Sequence, residues 1–198
     1  MNSVLERITD PEIEAVTLAE LRQHLRLFSD ITNEDVYLSE LIVLAREWVT
    51  EYTGRALIDE TWTQTVQEYV SGSITLLRSP ALAVVTFVSV GDDGAETAID
   101  SYELREAGGR WPRLVPPTGS TWGAGTLRLT YRAGFANREV SPQDGAEKVP
   151  RAIKHAIRLL AAHEYENRQP LVIGTIASEL PLGIKALLET QRSNMRIA

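Results

Sequence analysis

Two apolar helical stripes, far apart in the chain, constrain its fold more than any other feature. Leu38, Leu41, Ile42, Ala45, Trp48, Val49 and Tyr52 recur at helical spacing, and Gly54 stands where a C-cap glycine belongs. The second stripe is Ile153, Ala156, Ile157 and Leu160, behind Pro150, which suits a first helical turn. Neither stripe can be buried locally, so the two are expected to pack on each other. What lies between must leave the helical part and come back. From Thr61 to about Arg132 the chain is rich in Thr, Val and aromatics, with turn signals between short runs. Strands are expected over 62–70, 74–77, 84–90, 102–105, 113–115 and 126–132. The last is the clearest, because Leu127, Leu129 and Tyr131 alternate with Arg128, Thr130 and Arg132. Asp92-Asp93-Gly94 closes a hairpin, and the polar stretch 133–148 returns the chain to the helices.

Shorter signals complete the pattern. Thr17-Leu18-Ala19-Glu20 reads as a capping box, followed by Leu18, Leu21, Leu25 and Phe28 on one helical face. Residues 29–32 connect, and Asn33 or Thr32 caps the next helix. Residues 1–16 lack periodicity and read as a loosely held arm. After the helix that begins at Pro150, Gln169-Pro170 stops the pattern. A looser segment over 171–179 leads to a short helix with Leu180, Ile184, Leu187 and Leu188 on one face, too short to be stable without a docking surface. The expected fold is α+β: a mainly helical core of about four helices, with a β-rich insertion of short antiparallel strands. Its parts are an arm and two helices over 1–57, the insertion over 58–148, a core helix over 149–170, and an extended segment with a docking helix over 171–198. All belong to one structural unit.

Composition narrows the classes of function. A chain of 198 residues holds one good core with a sizeable insertion. Without cysteine, disulfide scaffolds, cysteine nucleophiles and Cys-based metal sites are excluded. The N-terminal residues lack the basic and then apolar regions of a signal peptide, and no apolar run approaches a membrane span, so intracellular synthesis is expected. The net charge of −7 is unevenly placed. Residues 148–198 carry eight Lys/Arg against four Asp/Glu, and the remainder twelve against twenty-three. An acidic body with a basic C-terminal part suggests surfaces for different partners, or a tail that is basic by chance. The balance argues against a general duplex-DNA binder.

Chemical motifs are weak. His163-Glu164 begins a helical zinc motif, but Asn167 stands where the second His should be. His24 and His155 lack ligand spacing. Gly119, Gly123 and Gly125 precede a strand instead of opening a helix, and no Lys-Ser/Thr follows them. Asp92-Asp93-Gly94 lacks the spaced carboxylates of a calcium loop. Neither catalysis nor a metal or cofactor is expected. The most specific charged feature is the helical face Arg151, Lys154, His155 and Arg158. It reads as a contact for phosphates or for an acidic surface of a neighbouring subunit, or else as a solvated helix face. Trp111 and Trp122, in Gly/Pro-rich surroundings, read as exposed interface anchors or as hairpin packing.

The order of these elements resembles the head–tail connector (adaptor) proteins of long-tailed phages and of phage-derived gene transfer particles. The stretches that carry the likeness are Thr17-Leu18-Ala19-Glu20-Leu21, Glu34-Asp35, and the run from Ala45 through Trp48 to Gly54. They continue with the strand from Leu127 to Phe135, Val149-Pro150 leading to Glu164-Tyr165-Glu166-Asn167-Arg168, and the ending from Leu180 to Leu188. The long β insertion departs from the family's purely helical members. The resemblance implies a virion protein made in the bacterial cytoplasm, forming a ring, dodecameric in expectation, beneath the capsid portal. Such a ring extends the DNA channel without sequence-specific binding and presents a surface to the next connector, stopper or tail protein. Residues 171–198 would then dock on the portal through Leu182, Ile184, Leu187 and Leu188, and the insertion would serve subunit or tail-side contacts. Two other readings are a small terminase-like DNA-packaging factor using the basic face, and an enzyme with an intersubunit site at His163 and Glu164.

Overall fold

The computed structural model describes residues 2–27, 32–135, 148–167 and 182–193. Phe28, the connector at 29–31, most of the polar return, the segment 171–179 and Leu180 lie outside the described residues. The chain divides into two compact units, one formed by Met1–Glu12, Gly54–Lys148 and Ser193–Ala198, the other by Ile13–Thr53 and Val149–Arg192.

The second unit is helical among its described residues: α1 (Leu18–Leu25), α2 (Asp35–Thr53), α3 (Arg151–Glu166) and α4 (Leu182–Glu189). The capping box forms as its sequence dictates, with Glu20 N–H donating to Thr17 Oγ1 at 3.1 Å and Thr17 N–H donating back to Glu20 Oε2 at 2.9 Å. The central helix α2 packs against α1, α3 and α4. Its stripe meets that of α3, burying Leu38, Leu41, Ile42, Ala45 and Val49 with Ile153, Ala156, Ile157 and Leu160. Each large apolar side chain so buried contributes about 2 kcal/mol. Polar ties frame this core. Arg22 pairs with Asp35 at 3.0 Å, Tyr165 Oη donates to Glu34 at 2.5 Å, and buried Arg46 holds both Glu14 oxygens through Nε at 2.9 and 3.1 Å.

The first unit is β: β1 (Asn2–Arg7), β2 (Glu60–Tyr69), β3 (Ile74–Thr75), β4 (Ala81–Val90), β5 (Glu96–Ala98), β6 (Glu103–Arg105), β7 (Arg113–Val115) and β8 (Gly125–Ala133). An antiparallel sheet runs β1-β2-β8-β4-β5, and a smaller one runs β3-β7-β6. Ile74 and Leu114 of the small sheet share one core with Trp62, Val66, Phe87, Leu127, Leu129 and Tyr131 of the large. Buried Gln64 stitches β2 to β3 and the residues after it, donating to Thr75 O at 3.0 Å and accepting from Leu77 N–H at 2.9 Å. Tyr131 Oη accepts from Arg78 N–H at 2.9 Å, and burial pushes its phenol far up. Gly134 has φ +141°, and a Cβ there would lie 2.0 Å from Ile58 O, so the chain passes only because no side chain is present. In the β4–β5 hairpin Gly94 takes φ +81°, Gly91 and Ala95 bond at 2.9 Å, and Asp93 Oδ1 accepts from Ala95 N–H.

Two expectations need correction. Helix and strand shares are similar, so the fold is α+β without being mainly helical. Residues 2–7 are no loose arm: they form edge strand β1, with Val4 opposite Thr65 and Arg7 opposite Trp62. The Ser3, Leu5 and Arg7 side of this strand is partly covered while Val4 stands on its open side, and that exposed valine hides the alternation in Asn2-Ser3-Val4-Leu5-Glu6-Arg7.

Candidate assembly surfaces

The docking helix α4 turns its apolar stripe inward. Ile184 and Leu188 are buried within the helical unit, where α4 lies against α2 and α3. Tyr52 Oη donates to Glu189 at 3.0 Å, and the Arg192 guanidinium lies 5.2 Å over the Tyr52 ring while pairing with Glu189 at 3.1 Å. Burial, and then the bond to Glu189, raise the Tyr52 phenol above its ordinary range. Leu187 is half-buried, Gly183 and Ala186 are exposed, and the side chain of Leu182 lies outside the described residues. Of the four expected anchors, two are therefore engaged by the chain's own core.

The basic face of α3 is real and partly engaged. Lys154 Nζ lies 3.7 Å from Glu20, and His155 meets His24 of α1 edge-on at 6.3 Å between centroids. Burial opposes ionisation of Glu20, yet the Thr17 N–H bond and the charges of Lys154 and Arg158 together hold its carboxyl below the usual range. Burial, then Arg158 and His155, hold the His24 imidazole below its ordinary value, with Glu166 opposing. Arg151 and His155 remain exposed, and Arg158 is half-buried. His163, by contrast, serves the end of α3: its carbonyl accepts from the Asn167 N–H at 3.1 Å and from Asn167 Nδ2 at 2.8 Å. Among the described residues no three His, Asp or Glu side chains gather to hold a metal ion.

The tryptophans separate. Trp111 is 46% exposed, beside β7. Trp122 is not an exposed anchor: it packs edge-on against Phe87 at 4.9 Å and near Tyr69 at 5.8 Å, and its Nε1–H donates to Ser101 O at 2.9 Å. A ring that finds both an aromatic box and an acceptor is drawn into the β core.

One surface went unread in the sequence. The side of α2 opposite its buried stripe carries Val36, Val43 and Leu44, exposed by 75%, 37% and 52%, interleaved with Glu40, Glu47 and Glu51. The signal was available, because these three apolar residues fall outside the stripe that faces α3.

The helical unit thus presents one apolar and acidic helix face and one basic helix face. Residues 15–89 match the model of the phage gp6-like head–tail connector protein. A chain of the virion of a native gene transfer agent particle is similar at 26% identity over 98% of this chain and 97% of its own, with a TM-score of 0.77. A chain from the neck of an empty gene transfer agent particle, computed with C6 symmetry, is similar at 26% identity with the same coverage and a TM-score of 0.76. The neck of a native particle computed with C12 symmetry contains a chain of the same fold, with a TM-score of 0.71 and 24% identity over the same shares. No curated protein matches. Over residues 15–89 the chain is thus similar to the head–tail connector family, and in fold it is similar to these particle proteins over nearly its whole length.

Proposed function

We propose that this chain is the repeating subunit of a connector ring at the head–tail junction of a phage-like particle. Twelve copies sit beneath the portal, continue the DNA channel and present the attachment surface for the next connector or tail protein. The supporting observation is the likeness, over nearly the whole chain, to a chain of a gene transfer agent virion. Its part is structural: positioning and contact, with no covalent chemistry. The acidic balance of residues 1–147 suits a channel wall that repels the passing DNA instead of gripping it.

Portal docking falls to residues 171–198. Ile184 and Leu188 act by seating α4 on the helical unit, which leaves Leu182 and Leu187 to reach the portal. Particles assembled without this chain are expected to accumulate as heads without tails, and the chain lacking 171–198 is expected not to restore them. Normal tailed particles in its absence would overturn the connector reading. Restoration by the shortened chain would overturn only the docking assignment.

A further inference from the structure

A closed ring requires two different, complementary patches on each copy, because the front of one subunit meets the back of the next. The helical unit carries such a pair. The outer face of α2 sets Val36, Val43 and Leu44 among the carboxylates of Glu40, Glu47 and Glu51. The outer face of α3 sets half-buried Leu159 and Ala162 among Arg151, His155 and Arg158. The two faces lie on opposite sides of the α2–α3 pair, since each helix buries its other side in the core between them. Their charges are opposite. Their spacing also agrees: Glu40 to Glu47 and Arg151 to Arg158 are both two helical turns, about 10 Å along the axis.

We infer that the ring seam is the α2 face of one copy, bearing Val36, Glu40, Val43, Leu44 and Glu47, seated on the α3 face of the next, bearing Arg151, His155 and Arg158. This rests on the ring proposed above and names its interface. Carboxylates set the register against the guanidinium groups, while the valines and leucine meet Leu159 and Ala162. On this reading the basic face recognises a second copy of this chain rather than nucleic acid.

Two charge-reversed chains test it: one with Glu40→Arg and Glu47→Arg, the other with Arg151→Glu and Arg158→Glu. Each is checked for an unchanged circular dichroism spectrum and melting curve, then examined by native mass spectrometry with portal rings. Each alone is expected to form no ring. Mixed in equal amounts they are expected to assemble with the two chains alternating, because every seam is again complementary. A single chain carrying all four changes is expected to form the ring by itself. Rings from either variant alone, or no rescue on mixing, would overturn the seam while leaving the ring intact. Should the unaltered chain form no ring with portal, the connector reading itself fails and the seam with it. Should either variant misfold, Val36→Ser with Leu44→Ser supplies the test: ring loss is expected, and an undiminished ring would overturn the seam.

Discussion

The helical and β units are held together by different means. The helical unit joins two stretches distant in sequence, and what joins them is burial of two matching stripes, trimmed by ties such as Arg22–Asp35 and Tyr165–Glu34. Burial is non-directional, so many side chains of suitable size would serve. The outward faces of these helices take little part in that burial and carry mostly exposed or half-buried side chains. The β unit depends on backbone registers and close approaches, at Gly134 against Ile58 and at Gln64 against β3 and the residues after it. There a single added carbon has nowhere to go. One unit tolerates change within and presents faces without; the other is closely specified within.

The contrast is most easily broken at Gly134. Gly134→Ala must move backbone away from Ile58 O and adopt a left-handed φ, so a loss above about 3 kcal/mol is expected in denaturant unfolding. Hydrogen exchange would sharpen the point: protection should fall in β2 and β8 and persist in α2 and α3. Equal loss in both would show that the units do not differ in this way. Next in size is Leu188→Ala, which empties a fully buried site at the contact of α4 and should cost about 2–4 kcal/mol, read from the urea midpoint. Thr17→Ala removes one half of the capping box and should cost about 1 kcal/mol, with exchange rising first in α1.

The smallest effect expected is a pH dependence at His24. Its folded value lies below the ordinary 6.5, so over that interval the unfolded chain binds a proton that the folded chain refuses. The stability contributed by neutral His24 is full above pH 6.5 and is lost as pH falls through the window below it. His24→Gln should flatten the fall in melting temperature across that window. A parallel fall in the variant would contradict the assignment.

What could be read in the sequence follows the same division. Stripes, caps and alternation are signals of burial, and they placed α2, α3, the capping box at Thr17 and strand β8 directly. β5 (Glu96–Ala98) was not visible, because all its residues are exposed and so carry no pattern. β1 was missed because its alternation is masked by Val4 on the open face. The need for glycine at position 134 is set by Ile58, far away in sequence, and leaves no local trace. Among the surfaces, the basic residues of α3 were legible as charge, but their engagement with Glu20 and His24 was not. For Trp122 the sequence left exposure and packing both open, because composition does not reveal Phe87 and Ser101 around its ring. The acidic and apolar face of α2 carries little periodic signal of its own, because Val36, Val43 and Leu44 are interleaved with Glu40, Glu47 and Glu51 beside the stronger buried stripe.

The measurement that tests the central claim most directly is the native mass of the full chain mixed with purified portal rings, with negative-stain images of the same sample. A collar of twelve copies on one face of each portal ring is the expected result. A chain that stays free of the portal at all ratios would contradict its assignment as a connector subunit.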